Sequence, residues 1–216
     1  MKMFRTIIQS LLLISALATI CCSGSNYLKP GSNVDSENPL IHTRVTSLLK
    51  EAGTDAKKAR ILFEFVRDSI DERFNEDFKA SRILSSGYGY CYNKAILLTA
   101  MARAAGIPAR ISFDRVYISG FKDERTGVIR DIRFLHGIAE LFLNNRWIKY
   151  DVTGNLKRWR IWMQNDIPIT ELPLGFSAEK DVVFPSGGRI KFERTDMNFF
   201  DWDKQTDALA ADFNRY

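Results

Sequence analysis

Cys91 is the sole cysteine beyond residue 22 of this 216-residue chain, and its neighbours suit it to nucleophilic chemistry. Gly87-Tyr88-Gly89-Tyr90 forms a glycine-rich loop that runs directly into an apolar helical pattern reaching Arg103. A thiol at a helix start meets unpaired backbone N–H groups and the positive end of the helix dipole, which favour thiolate over thiol. The thiolate is the form that attacks a carbonyl, so a base or ion-pair partner is required. There are two histidines. His42 lies beside a polar stretch and reads as a surface residue. His136 opens His136-Gly137-Ile138-Ala139-Glu140 in a strand-like setting, with Gly137 leaving space beside the ring. A single histidine in a strand is more often structural than catalytic, but together with Cys91 it becomes the candidate base. Asp151 closes Arg146-Trp147-Ile148-Lys149-Tyr150-Asp151. If Asn144-Asn145 is a tight turn, residues with numbers totalling 289 stand opposite each other, and Asp151 falls within two positions of the partner of His136. Matching parity puts both on one face of the sheet, where a carboxylate fixes the imidazole tautomer. Taken alone, Asp151 reads equally well as a strand-end residue. Jointly, Cys91, His136 and Asp151 read as nucleophile, base and orienter.

These side chains need elements to hold them. A short helix is expected over residues 43–51, ended by Gly53. Thr54-Asp55 caps a longer helix with Ala59, Leu62, Phe63, Val66, Ile70 and Phe74 on its apolar face. Its charged residues form a solvated surface. The Cys91 helix continues to about Ala105, where Gly106 offers a left-handed stop and Pro108 blocks continuation. Alternation over 109–118 predicts a strand, with Ile111, Phe113 and Tyr117 on one side and Ser112, Asp114 and Val116 on the other. Residues 119–131 read as a polar loop rimming a cleft. Residues 134–143 and 146–152 complete a hairpin about Asn144-Asn145. Beyond Gly154 a helix is expected over 156–164, and short apolar runs at 181–184 and 189–192 suggest an extension that packs on the core.

Composition bounds the partners. With 45% hydrophobic and 26% charged residues the chain can build a sizeable core. Its net charge of +5 falls to +3 without Lys2 and Arg5, too little to argue for nucleic acid. Those two residues precede an apolar run over 11–20 that ends in Cys21 and Cys22, which reads as an export signal too short for a confident membrane span. Cys21 or Cys22, with Ser23-Gly24-Ser25-Asn26 following, is similar to a bacterial lipoprotein signal in which the first mature cysteine is lipidated. Cys22 is favoured, because its preceding residue, Cys21, is smaller than the Ile20 that precedes Cys21. Plain secretion is the alternative. Export with Cys22 lipidated leaves Cys91 without an intramolecular disulfide partner. The expected organisation is a signal segment over 1–21, a flexible Ser/Asn/Gly/Pro tether over 22–40, a core over 41–160 and an extension over 161–216.

Four segments in order resemble the transglutaminase-like superfamily over roughly residues 45–155. Thr54 to Arg60 with Val66-Arg67-Asp68-Ser69-Ile70 is similar to its first core helix. Gly89-Tyr90-Cys91 through Ala104-Ala105-Gly106-Ile107-Pro108-Ala109-Arg110 is similar to its nucleophile helix and the following loop. His136 to Glu140, and Trp147 through Asp151-Val152-Thr153, resemble its histidine and aspartate strands. Ile138 and Val152 stand where the family often has an aromatic residue and a proline. The resemblance implies an α+β, papain-like fold in which the nucleophile helix packs on an antiparallel sheet. It also implies acyl transfer or hydrolysis on peptide or protein amides, without a metal or cofactor. Cys91 would be nucleophile, His136 general base and acid, and Asp151 the orienter. The Cys91 N–H is a natural oxyanion donor, and no second donor is assignable. The combined expectation is a thiol enzyme of the bacterial cell envelope, anchored to the membrane by lipid. The rivals are an envelope binding module that keeps the fold without catalysis, and a redox-sensing thiol.

Overall fold

The structure, a computed structural model, describes residues 26–122 and 126–153 and the strand residues 182–183, 189–193 and 198–199. Four helices precede the sheet: α1 (Pro39–Leu48), α2 (Asp55–Ser69), α3 (Ala80–Ser86) and α4 (Cys91–Ala104). Then come β1 (Ala109–Lys122), β2 (Ile129–Leu143) and β3 (Arg146–Tyr150), followed by the short strands β4 (Val182–Val183), β5 (Arg189–Glu193) and β6 (Asn198–Phe199). All described strand pairs are antiparallel, in the order β3-β2-β1-β5-β4, and β6 also pairs with β1. This is the expected α+β architecture.

The centre of the molecule is α4. Every residue from Asn93 to Arg103 is buried, because α1, α2 and α3 cover one side and β1 and β2 the other. A helix enclosed on all sides is apolar nearly all round, and its few polar residues carry their own partners. Thr99 Oγ1 donates to the Ala95 carbonyl at 2.8 Å. The Arg103 guanidinium donates to the Ala109 carbonyl at 2.9 and 3.0 Å and to that of Lys29 at 2.8 Å. Gly106 ends the helix region at φ 80°, the left-handed geometry that glycine tolerates.

The β2–β3 hairpin turns on Asn144 and Asn145 at φ 52° and 63°, as a two-residue turn of this hand requires. Leu143 pairs with Arg146 and Ala139 with Tyr150, the register expected from the turn. Thr54 caps α2 by accepting from the Lys57 N–H at 3.3 Å.

Several expectations are corrected. Residues 26–38 are not a flexible tether, and the packed unit therefore begins before residue 41. Val34 is fully buried, the Ala80 N–H donates to the Asn33 carbonyl at 2.8 Å and the Ser81 N–H to Asp35 Oδ1 at 3.0 Å, and the Tyr27 ring meets Trp147 edge-on at 5.0 Å. The polar composition suggested solvation, but its turns satisfy their own backbone and seat one valine in the core. The first helix begins at Pro39, four residues early, because Asn38 caps it by accepting from the Leu40 N–H at 3.0 Å. Phe74 does not belong to the apolar face of α2: the helix stops at Ser69 and Phe74 is 57% exposed. The short helix α3 was not anticipated. Much of the expected loop over 119–131 is instead strand, since β1 runs to Lys122 and β2 starts at Ile129. The signal segment, Cys21 and Cys22, the helix over 156–164 and most of the extension lie outside the described residues. No helix among the described residues is long and apolar enough to cross a membrane.

Candidate active site

Cys91 is the first residue of α4, and its side chain is partly accessible. The loop that delivers it is tied down on several sides. Asp71 and Tyr88 form a parallel bridge, with the Asp71 N–H donating to the Gly87 carbonyl and the Gly89 N–H to the Asp71 carbonyl, both at 2.9 Å. Asn75 Nδ2 donates to the Tyr88 carbonyl at 2.9 Å. Asn93 reaches back from the first turn of the helix: its Oδ1 accepts from the Tyr90 N–H at 2.9 Å, and its Nδ2 donates to the Asp77 carbonyl at 2.8 Å. This is one half of a capping box, with asparagine in place of the usual Glu or Gln. The helix start is therefore fixed by side chains on both sides of Cys91. As a first-turn residue, Cys91 has an N–H that lies ahead of the intrahelical ladder and points out of the helix end.

His136 comes from the middle of β2 and Asp151 from the residue just past β3. His136 Nε2 meets Asp151 Oδ2 at 2.6 Å, and the two side chains are 6% and 2% exposed. Asp151 Oδ1 accepts from the Thr153 N–H at 2.9 Å, so both carboxylate oxygens are held. The Thr153 hydroxyl lies 3.5 Å from the same imidazole nitrogen. Cys91 lies close enough to the imidazole to favour its protonated form.

The electrostatics follow from this arrangement. Burial is the largest influence on His136 and disfavours the imidazolium. The charge and hydrogen bond of Asp151, aided by the hydrogen bond and charge of Cys91, outweigh it and hold the pKa well above its ordinary 6.5. A basic imidazole beside a thiol is equipped to take the thiol proton.

All three residues singled out in the sequence thus meet at one point. His42 is exposed on α1, away from this constellation. Reading the sequence missed Asn93 and Thr153, which fix the helix start and the carboxylate. Asparagine at the third helical position was a usable signal for the first. It also missed the reason for Gly137, which makes room for the backbone of α4 at Tyr92 and not for the imidazole. An open cavity of about 560 Å³, lined by Phe74, Asn75, Glu76, Asp77, Arg82 and Tyr88, borders the loop leading into Cys91. Among the described residues no cluster of His, Cys, Asp and Glu is arranged to hold a metal.

The chain is similar to several solved structures. One is a candidate cysteine protease from Cytophaga hutchinsonii, at 18% identity and TM-score 0.47, covering 61% of this chain and 42% of that one. Another is the periplasmic domain of TgpA from Pseudomonas aeruginosa, at 14% identity and TM-score 0.44, covering 65% and 49%. A third is a candidate protease from Parabacteroides distasonis, at 18% identity and TM-score 0.38, covering 84% and 31%. This chain therefore spans less than half of each of these relatives. No curated protein matches it. The model of the transglutaminase-like superfamily matches residues 43–152, half of the chain and the stretch that carries Cys91, His136 and Asp151. The chain belongs to the transglutaminase-like superfamily.

Proposed function

We propose that this protein is a thiol enzyme that performs acyl transfer or hydrolysis on peptide or protein amides. The observation that carries the reading is the buried 2.6 Å His136–Asp151 contact, with Cys91 near enough to the imidazole to favour its protonation. Cys91 Sγ attacks the amide carbonyl carbon as a thiolate, its proton already held by His136, and the Cys91 N–H faces the oxygen that gains charge. His136 returns the proton to the departing nitrogen as the C–N bond breaks, leaving a thioester on Cys91. Water or a second amine then loses a proton to His136 and attacks the thioester, and the thiol regains that proton as it leaves. Asp151 holds the ring in orientation and balances the imidazolium through both halves. The exposed rings of Phe74 and Tyr90, 6.1 Å apart beside the open cavity, suit an extended peptide.

The reading places the enzyme at the bacterial cell envelope, exported and anchored through a lipid on Cys22 or Cys21. The basic, apolar and small-residue order of residues 1–26 supports this. Incubating the protein with glutamine-containing protein and envelope peptides, with and without an added amine, tests the activity by mass. Amide-to-acid conversion, a cross-link or a cleavage each selects one reaction, and each must vanish in Cys91→Ser. Iodoacetamide labelling tests the site itself. If His136→Ala leaves Cys91 alkylation unchanged across pH, the catalytic reading is lost and a binding role takes its place.

A further inference from the structure

Phe113, Ala139, Tyr150 and Val152 belong to the core that the sheet shares with α4. By strand alternation Asp114, Glu140, Lys149 and Asp151 therefore lie together on the second face of the sheet. The ion pairs on that face are selective. Glu140 stands directly opposite both Arg110 and Lys149, and it is Arg110 that it binds, at 2.6 Å. Lys149 reaches instead past β2 to β1, where its Nζ donates to Asp114 Oδ1 at 2.6 Å. Asp114 is fully buried and stands directly opposite His136, a pairing that puts Cα atoms about 5 Å apart. Lys149 lies two residues before Asp151 on the same face. Each member of the Asp114–Lys149 pair thus has a member of the His136–Asp151 pair as a neighbour of opposite charge. In a buried setting such a neighbour is a real competitor.

We propose that Asp114 and Lys149 are positioning residues of the Cys91–His136–Asp151 site: by binding each other, they leave the Asp151 carboxylate to His136 and the His136 ring to Asp151. The inference rests on the proposed catalytic reading of that site. Without Asp114, and with Glu140 held by Arg110, Asp151 is the carboxylate left to the Lys149 ammonium among those named. Without Lys149, the charge of Asp114 faces the imidazole unopposed. Among the described residues, the groups around His136 are Asp151 and the Thr153 hydroxyl beyond β3, Asp114 on β1 with Lys149 from β3, and Cys91 on α4. The Arg110–Glu140 pair lies four residues farther along β2.

The test is proton NMR of the intact protein carrying isotope-labelled histidine, at His42 and His136. Spectra are recorded below pH 6.5, where His136 keeps its proton. The 2.6 Å His136–Asp151 contact gives a downfield imidazole N–H signal, which disappears when another cation takes the carboxylate. Asp114→Asn is expected to lose this signal as Lys149 turns to Asp151. The double variant Asp114→Asn/Lys149→Met is expected to recover it, because the competitor is gone. A folded Asp114→Asn that keeps the signal overturns the proposal, and so does a folded double variant that lacks it; a merely structural pair offers no such rescue. Lys149→Met tests the other half and decides alone if Asp114→Asn does not fold. Its His136 midpoint should rise by about one pH unit, roughly a tenfold gain in proton affinity, and an unchanged midpoint overturns the proposal. If neither single variant folds, the pair serves the core alone and the positioning role is rejected. If His136→Ala leaves Cys91 alkylation unchanged while these signals behave as expected, the catalytic reading fails and the pairing role stands. The opposite pattern keeps the catalytic reading and removes the pairing role.

Discussion

Gly137 on β2 lies against the backbone of Tyr92 on α4 so closely that a Cβ at position 137 would stand 2.8 Å from Tyr92 Cα and 2.9 Å from its Cβ. Tyr92 follows Cys91 and Gly137 follows His136, so this contact sets the distance between them. Gly137→Ala must push sheet and helix apart at that point. The expected cost is roughly 1–3 kcal/mol of stability, together with loss of the His136-dependent part of Cys91 alkylation. Urea denaturation and iodoacetamide kinetics check the two effects; a variant matching wild type in both would show that the approach is not critical.

Asp151→Asn keeps the shape and removes the charge. Burial then dominates at His136 and disfavours the imidazolium, so its raised pKa should fall steeply. Amide turnover should drop on the order of 10²- to 10⁴-fold, with a smaller change in KM. A histidine titration that stays put in this variant would locate the source of the basicity elsewhere.

The His136 shift makes stability depend on pH with a definite sign. The folded imidazole binds its proton more tightly than the unfolded one, whose ordinary value is 6.5. Its contribution is therefore complete below 6.5 and disappears as pH rises through the elevated folded value. The unfolding free-energy gap between wild type and His136→Gln should be widest near about pH 5–6 and narrow with increasing pH. A gap that widens instead contradicts the His–Asp account.

Val34→Ala separates a packed N-terminal segment from a tether. Val34 is fully buried, so truncating it should cost roughly 1.5–3 kcal/mol. A tether residue would change stability by less than about 0.5 kcal/mol. Equilibrium urea unfolding distinguishes the two.

What could be read from the chain follows what each signal encodes. Asn144-Asn145 fixes a two-residue turn, the turn fixes the β2–β3 register, and the register carries Asp151 to His136. The Cys91 helix was equally legible, because Gly89-Tyr90-Cys91 and Gly106-Ile107-Pro108 mark both its ends. Contacts made over long separations left no such mark. The polar look of residues 26–38 hid Val34 and the Lys29 carbonyl that Arg103 binds. Lys94 stands on an apolar helix as any surface lysine might, and its burial against the Arg67 carbonyl of α2 appears only in the folded chain. The strand residues 119–120 and 129–131 are exposed, so their composition resembled a loop.

His136 and Asp151 are only 15 residues apart, joined by one hairpin, whereas Cys91 enters from a helix 45 residues before His136. A hairpin closes early in folding, and docking a distant helix costs more loop entropy and comes later. The approach of Cys91 to His136 is therefore coupled to completion of the tertiary structure. A chain in which α4 has not docked keeps its thiol apart from the His136–Asp151 hairpin, so any reactivity that depends on both belongs to the closed molecule alone.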